Sequence, residues 1–258
     1  MAAPKVNIAL VDTTSKISLE ELQRVANALQ IQVSRDFTPA WDKDATVHVF
    51  GRMTDIPVGF WPILIVSAID VQGVNGYHWI DDEGNPFAKV EYRGDFWPLT
   101  VSHELLEMLV NPYVNKTKLV KGLDDTGQEV EFLVEVADPV EDNDFGYRID
   151  GVLLSNFYYP AFFDLTKREG VKYDHLGWLK EPRKLLNGGY ISWKNASGEW
   201  WQAFMVENKL IIRKLGDSTP LTTADRTMIW GWTAVVTVSL IALTFLIKLF
   251  KRNGNRIR

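Results

Sequence analysis

The sequence contains no cysteine, and this absence excludes disulfide bonds and thiolate metal sites. Histidine is scarce as well, with four residues in a chain of 258. Any metal site must therefore be built from histidine, aspartate and glutamate side chains. Internal repeats and low-complexity segments are also missing, so the composition is that of a globular protein over most of the chain.

Basic residues are in deficit over most of the chain. There are 28 lysines and arginines against 33 aspartates and glutamates, and five of the basic residues, with no acidic ones, follow residue 226. The first 226 residues therefore carry 23 basic and 33 acidic side chains, a net charge of −10. Because nucleic-acid binding needs a basic face, we expect no nucleic-acid partner.

One long uncharged run stands out near the C-terminus. The 21 residues from Thr227 to Ile247 contain no charged side chain, and most of them are large and apolar. At about 1.5 Å per residue, a helix of this length spans roughly the 30 Å hydrocarbon core of a bilayer. Trp230 and Trp232 lie at one end, where indole rings favour the membrane interface. We therefore predict a transmembrane helix.

The predicted organisation is one globular domain followed by a membrane anchor. The domain covers residues 1–213, including a tryptophan-rich hairpin over 188–213. A polar linker over 214–226 leads to the transmembrane helix over 227–250, and a basic tail over 251–258 suits anionic lipid headgroups. The basic tail favours a cytoplasmic C-terminus, whereas the lack of a signal-peptide pattern favours a cytoplasmic domain, so both orientations stay open.

Strand and helix patterns are interspersed in the globular domain, which predicts an α+β fold. Alternation predicts strands, a serine cap with a glutamate three residues later starts one helix, and proline bounds a second helix. The predicted strands are Lys5–Val11, Thr46–Phe50 and Trp61–Ile69; the helices are Ser18–Ile31 and Pro98–Val110; the hairpins cover residues 77–92, 118–136 and 188–212.

The second predicted helix contains the run Ser-His-Glu-Leu-Leu-Glu at residues 102–107. His103 and Glu107 are four residues apart, so both project from one helix face and are able to bind one metal ion. Glu104 is one step round the helix, within reach of a metal-activated water. This is the logic of H-E-x-x-H zinc helices, with Glu107 in place of the second histidine.

An acidic cluster about thirty residues further on offers a third ligand. It contains Glu135, Asp138, Glu141 and Asp142. A catalytic zinc needs three protein ligands, and either Glu135 or Asp138 would complete the set, while the other orients His103. A solvated acidic surface loop is the alternative interpretation of this cluster.

These motifs together resemble a known pattern. The 102–107 run, Asn111-Pro112 and Glu135-Val136-Ala137-Asp138 are similar to the S-H-E-x-x-E, N/D-P and E-x-x-D pattern of zincin-like, metallopeptidase-like proteins of bacteria and phages. The chain also resembles plant phosphate-induced, exordium-like proteins, although these have cysteine near the E-x-x-D segment. The resemblance extends over roughly residues 5 to 195.

The resemblance implies a zincin-like mixed sheet with an active-site helix. It implies His103 and Glu107 as ligands of zinc or another divalent metal, Glu135 or Asp138 as the third ligand, and Glu104 as the general base. The expected function is a membrane-anchored metallopeptidase that hydrolyses peptide bonds in proteins or peptidoglycan cross-links.

Two other functions stay open at the level of the sequence. The first is a catalytically inactive structural protein with a zincin-like fold, in a phage virion or a membrane. The second is a sugar-binding module, which would need exposed rings at Trp193, Trp200 and Trp201. Convergence of the metal ligands in an open cleft would favour the peptidase over the structural protein.

Overall fold

The structure is a computed structural model that describes residues 5–71, 74–123 and 127–215. Over these residues the fold is α+β, as predicted, with two five-stranded sheets, one two-stranded sheet and two long helices. The helices are α1 (Leu19–Ile31), a single turn α2 (Thr38–Trp41) and α3 (Trp97–Val110). The strands are β1 (Lys5–Asp12), β2 (Asp44–Phe50), β3 (Trp61–Val66), β4 (Gly76–Ile80), β5 (Pro86–Glu91), β6 (Thr117–Lys121), β7 (Glu129–Leu133), β8 (Tyr147–Ile149), β9 (Val152–Leu154), β10 (Tyr190–Lys194), β11 (Trp200–Val206) and β12 (Lys209–Lys214).

The first sheet has the strand order β2-β1-β3-β5-β4. Four of its strands are parallel, and β4 pairs antiparallel with β5 through the predicted hairpin. Ile8 and Leu10 on one face of β1 are buried, and so are Ala9 and Val11 on the other, because the sheet is covered on both sides. β4 is the last strand in this order and is therefore an edge strand, and it lies beside α3.

Helix α1 begins at the predicted cap. The Ser18 hydroxyl accepts a hydrogen bond from the Glu21 backbone N–H at 3.1 Å. The helix continues into a π-helical turn, Gln32–Phe37, which carries the Gln32 side chain into the core. There the Ser102 hydroxyl donates to Gln32 Oε1 at 2.7 Å, and Gln32 Nε2 donates to the Ser155 carbonyl at 2.9 Å. This network ties α3 to the first helix.

Helix α3 is the buried centre of the domain, with twelve of its 14 residues buried. Pro98 lies in the first turn, where no intrahelical partner for its missing N–H is required. The helix ends at Val110, and its C-cap residue is Asn111, whose side-chain oxygen accepts backbone hydrogen bonds from Asn115 and Lys116. A helix buried on all sides must pair its polar side chains with other buried groups, which is the requirement that shapes the candidate site.

The second sheet is antiparallel, with the order β12-β11-β10-β7-β6. Its Phe132 belongs to the same cluster of buried apolar side chains as Ile8 of the first sheet, so the two sheets share a hydrophobic core. The segment predicted as one hairpin, residues 188–212, forms part of a three-stranded unit made of β10, β11 and β12. The segment 147–163, which has no regular pattern in the sequence, contains the β8-β9 hairpin and a 3₁₀ turn.

The predicted transmembrane helix over 227–250 and the basic tail over 251–258 lie outside the described residues. So does most of the predicted linker over 214–226, but Lys214 still belongs to β12, and Leu215 is buried. Within the described ranges, no helix is long and apolar enough to cross a membrane.

Candidate metal centre

Helix α3 carries His103 and Glu107 on one face, one turn apart. His103 Nε2 lies 3.3 Å from Glu107 Oε2, and both side chains are buried. The spacing follows from the helix geometry alone, since residues four apart lie above one another. The pair thus offers one nitrogen and one oxygen to a common point.

Asp138 lies beside His103 and Glu107, although it belongs to a segment distant from α3 in the sequence. It begins the 3₁₀ turn Asp138–Val140 after β7, and its Oδ1 lies 3.1 Å from His103 Nε2. The backbone N–H groups of Ala137 and Asp138 donate to Glu107 Oε1, at 3.1 and 3.2 Å. One ligand atom each from His103, Glu107 and Asp138 lies within 4.8 Å of the other two. Glu107 Oε1 thereby fixes the turn, which leaves Oε2 facing the histidine.

Glu135 takes a different place from Asp138. Its Oε1 accepts a hydrogen bond from Asn111 Nδ2 at 2.9 Å, at the end of α3. Its Oε2 lies 3.7 Å from His78 Nε2 and has no hydrogen-bond partner among the described residues. The structure therefore groups Asp138 with His103 and Glu107, and it places Glu135 on the far side of a second histidine.

That second histidine, His78, is absent from the residues proposed from the sequence. It projects from edge strand β4 towards α3, where His78 Nδ1 lies 3.4 Å from Glu104 Oε2 and 3.9 Å from Glu107 Oε2. The hairpin register contains the missed signal. His78 pairs with Ala88, and both Ala88 and Val90 alternate with charged residues on β5, so His78 must point to the buried face.

Glu104, the predicted general base, is buried beside His78. Its carboxylate approaches the backbone of β4 so closely that a Cβ atom at Gly76 would lie 2.7 Å from Glu104 Oε1. A Cβ there would also lie 2.6 Å from Thr100 Cγ2. Glycine at this position therefore lets the helix and the edge strand approach each other.

Glu141 and Tyr158 complete the surroundings of the cluster. Glu141 Oε2 and the Tyr158 hydroxyl are buried and lack hydrogen-bond partners in the described part of the chain. Burial raises the pKa of Tyr158 well above its usual value, and the charges of Glu135 and Glu107 raise it further. Tyr158 therefore stays a neutral phenol, which is able to donate a hydrogen bond.

Burial and repulsion between neighbouring carboxylates raise the pKa values of three carboxyl groups of the cluster, those of Glu135, Asp138 and Glu141. Burial raises the pKa of Asp138 to about 7 and that of Glu141 to about 8, and repulsion from Glu107 contributes to both. The pKa of Glu135 rises well above its ordinary range for the same reasons. Without a cation, the cluster is therefore neutralised in part by protons.

The pKa values of the two imidazoles are raised as well, although burial acts on them in the opposite direction. Burial by itself lowers the pKa of His103, but Glu107 and Asp138 outweigh it and raise that pKa well above the usual value. The pKa of His78 is also raised, because Glu104 and Glu107 outweigh its burial. Both histidines are therefore held in a field that favours positive charge.

The residues present fit a divalent cation. Five carboxyl groups and two imidazoles converge in a buried volume, and some of their atoms have no partner in the described ranges. The carboxyl groups belong to Glu104, Glu107, Glu135, Asp138 and Glu141. Unpaired buried charges cost several kcal/mol each, and a cation offsets that cost where protons otherwise would. Nitrogen and carboxylate oxygen are ligands suited to zinc and to harder divalent metals.

Comparisons of the chain with known protein families, with curated proteins and with solved structures found no match. The support for a metal centre therefore comes from the geometry and chemistry of these residues. No relative supplies a substrate or a reaction.

The tryptophan-rich strands do not have the exposed rings that a sugar-binding module requires. Trp193 is 3% exposed and packs in the main core against Phe132, with the two rings tilted relative to each other. Trp201 packs against the same core, and Trp200 packs against a small cluster that includes Leu215. These side chains stabilise the second sheet.

Proposed function

We propose that this chain is a metal-dependent peptidase with a zincin-like active site. The metal, zinc or another divalent ion, would be held by His103, Glu107 and Asp138. The observation that supports this most is the convergence of ligand atoms from α3 and from the turn after β7, which lie within 4.8 Å of one another. On an ordinary surface helix, a histidine and two glutamates would be exposed to solvent, whereas His103, Glu107 and Asp138 are buried together.

The donor set has a chemical consequence. A divalent metal bound there supplies a Lewis acid that activates water and polarises a scissile carbonyl. Two carboxylate ligands neutralise a dication more fully than two histidines do. We therefore expect slower hydrolysis than at a two-histidine site, or a preference for a harder metal.

Glu104 and Tyr158 have the chemistry needed beside the ligands. Glu104 lies one helical step from His103, and we assign it the role of accepting a proton from the attacking water and passing it to the leaving amine. Tyr158 is the residue we assign to oxyanion stabilisation, because its neutral hydroxyl is buried near Glu107 and Asp138 without a hydrogen-bond partner in the described residues.

The position of β4 supports a peptide substrate. It lies at the edge of the first sheet, beside α3, and has β5 as its only partner among the described strands. An extended substrate backbone would add to such an edge as a further strand. The substrate class we propose is protein or peptidoglycan cross-links, and the predicted anchor over 227–250 would hold the enzyme at a cellular or virion membrane.

One observation favours the inactive, structural alternative. The side chains of His103, Glu107 and Asp138 are only 11%, 5% and 8% exposed. A substrate carbonyl must reach the metal, whereas a structural metal site is closed. In the structural alternative the same ion would join α3 to the second sheet without catalysis, in a virion or membrane protein.

The deciding experiment loads the full chain with one equivalent of zinc and measures cleavage of a fluorogenic peptide library and of peptidoglycan fragments. We expect hydrolysis that a chelator abolishes. Glu104→Gln should retain zinc but lose at least about 100-fold in turnover, because a general base contributes roughly 10²–10⁴. Glu20→Gln, at an exposed glutamate of α1, is the matched control and should leave turnover unchanged. Zinc binding without cleavage of any substrate would establish the structural alternative instead.

A further inference from the structure

The buried cluster contains two groups of potential ligands, and they share one residue. The first is His103, Glu107 and Asp138; the second is His78, Glu104 and Glu107. Glu107 Oε1 already accepts two backbone hydrogen bonds, so its Oε2 is the oxygen that faces both histidines. It lies 3.3 Å from His103 Nε2 and 3.9 Å from His78 Nδ1.

The ligand atoms of the second group lie within 4.8 Å of one another, a spacing that one ion is able to span. Hydrogen bonds from a ring nitrogen to a carboxylate normally measure about 2.7–3.2 Å. His78 Nδ1 forms only a long hydrogen bond with Glu104 Oε2, at 3.4 Å, and lies beyond hydrogen-bond distance from Glu107 Oε2, at 3.9 Å. Ligand atoms at roughly 2.0–2.1 Å from one tetrahedral ion are about 3.4 Å apart. The first distance matches that value, and the second exceeds it by about half an ångström.

Glu135 supplies an independent indication. Glu135 Oε2 and His78 Nε2 face each other at 3.7 Å, and neither has a hydrogen-bond partner among the described residues. Both residues are more than nine-tenths buried, with exposures of 7% and 8%. A metal-bound histidine characteristically donates its other ring N–H to a carboxylate that is itself held in place, and Glu135 Oε2 faces His78 Nε2 as such an acceptor, 3.7 Å away and short of a formed hydrogen bond. Here Asn111 Nδ2 donates a hydrogen bond to Glu135 Oε1 at 2.9 Å, which holds the Glu135 carboxylate in place.

Charge balance favours more than one cation. Metal binding releases the protons that the cluster otherwise holds, and the five carboxylates, with neutral imidazoles, then carry a charge of −5. One dication leaves a buried charge of −3, whereas two leave −1, which is far less costly in a low-dielectric interior. Bridged metal pairs of this kind lie about 3.5–4 Å apart in known two-metal sites.

We propose that His78, Glu104 and Glu107 form a second divalent-cation site, with Glu107 bridging it to the ion at His103 and Asp138. This inference rests on the proposed function for the first ion. An ion at the second site engages the Glu104 oxygen nearest His78. It therefore withdraws Glu104 from proton transfer, and occupancy of the second site inhibits the reaction that the first ion supports.

Zinc titration of the metal-free full chain, purified in detergent, tests this proposal. Calorimetry and elemental analysis after gel filtration should give two zinc ions per chain. His78→Ala should bind one, and Glu104→Gln should weaken the second ion at least about 10-fold while the first is retained. His48→Ala, at a histidine of strand β2 outside the cluster, is the matched control and should bind two.

The outcomes separate this inference from the proposed function. One zinc per wild-type chain would overturn the second site and leave the first intact. No zinc at all would overturn both. A third outcome is that the wild type, His78→Ala and Glu104→Gln all bind two zinc ions with unchanged affinities. That result would show that His78 and Glu104 are not ligands of the second ion. If His78→Ala fails to fold, as judged by near-ultraviolet circular dichroism, the wild-type stoichiometry and Glu104→Gln still decide the question.

Discussion

His103 Nε2 lies 3.1 Å from Asp138 Oδ1, and this contact joins helix α3 to the turn that follows β7. The two residues are 35 positions apart in the sequence. Their approach is enforced by the backbone, because the N–H groups of Ala137 and Asp138 both donate to Glu107 on the same helix. The turn thus brings a second carboxylate to a histidine that already faces one.

The first prediction distinguishes the two candidates for the third ligand. Asp138→Asn should lower zinc affinity by more than about 100-fold, because it removes a ligand at His103. Glu135→Gln should lower it by about 10-fold or less at the first ion, since Glu135 contacts His78 and Asn111 rather than His103. Competition with a fluorescent zinc chelator measures both values. The reverse order of effects would assign the ligand to Glu135.

The second prediction concerns the pH dependence of the metal-free chain. The folded-state pKa values of Asp138, about 7, and Glu141, about 8, lie above their unfolded values. The folded chain therefore retains protons that the unfolded chain releases, and the free energy of unfolding falls as pH rises from about 5 to about 8. The raised pKa values of His78 and His103 act in the same direction, because their favourable contribution is present at low pH and is lost as pH rises.

Thermal unfolding between pH 5 and pH 8, with and without zinc, checks this sign. Zinc replaces the protons on the cluster. In the zinc-loaded chain the free energy of unfolding should therefore no longer fall as pH rises, or should rise instead. A metal-free chain whose stability rises over this range would contradict the account of the buried carboxyl groups.

The third prediction follows from the double role of Glu104. Turnover should reach a maximum near one zinc per chain and fall as a second ion binds. In His78→Ala, turnover relative to its own value at one equivalent should stay level as zinc is added, because the second site loses its nitrogen ligand. Initial rates against buffered free zinc provide the test. Equal inhibition of the wild type and the variant would show that excess zinc acts elsewhere.

The fourth prediction concerns the close approach of β4 to α3. A Cβ at Gly76 would lie 2.6 Å from Thr100 Cγ2 and 2.7 Å from Glu104 Oε1, so Gly76→Ala must displace the helix or the carboxylate. We expect a loss of about 1–3 kcal/mol in stability, together with reduced turnover. Gly51→Ala is the control, because a Cβ there meets no atom within 4 Å. Melting temperatures of the two variants compare them directly, and equal values would refute the predicted clash.

The local features of the site could be predicted from the sequence because they depend on local geometry. Pro98 and Asn111-Pro112 bound the helix, and a four-residue spacing places His103 and Glu107 on one face whatever the rest of the fold does. The serine cap at residue 18 is equally local. Each of these needs only neighbours within about one or two helical turns.

The choice between Glu135 and Asp138 could not be made from the sequence. Glu135 precedes a short 3₁₀ turn and Asp138 begins it, so the two are close in sequence. Only the packing of that turn against Glu107 directs Asp138 to His103 and Glu135 to His78. The burial of His78, by contrast, follows from its pairing with Ala88 in the predicted hairpin, and this register places the histidine on the side of α3.

The central claim is that this buried cluster holds a divalent metal. Elemental analysis of the purified full chain, beside a His103→Ala/Glu107→Ala double variant, tests it most directly. The account predicts at least one zinc or other divalent ion per wild-type chain and the loss of the ion at His103 in the variant. The absence of metal from both proteins, even after zinc is supplied, would contradict the account and leave the cluster as a set of carboxyl groups neutralised by protons.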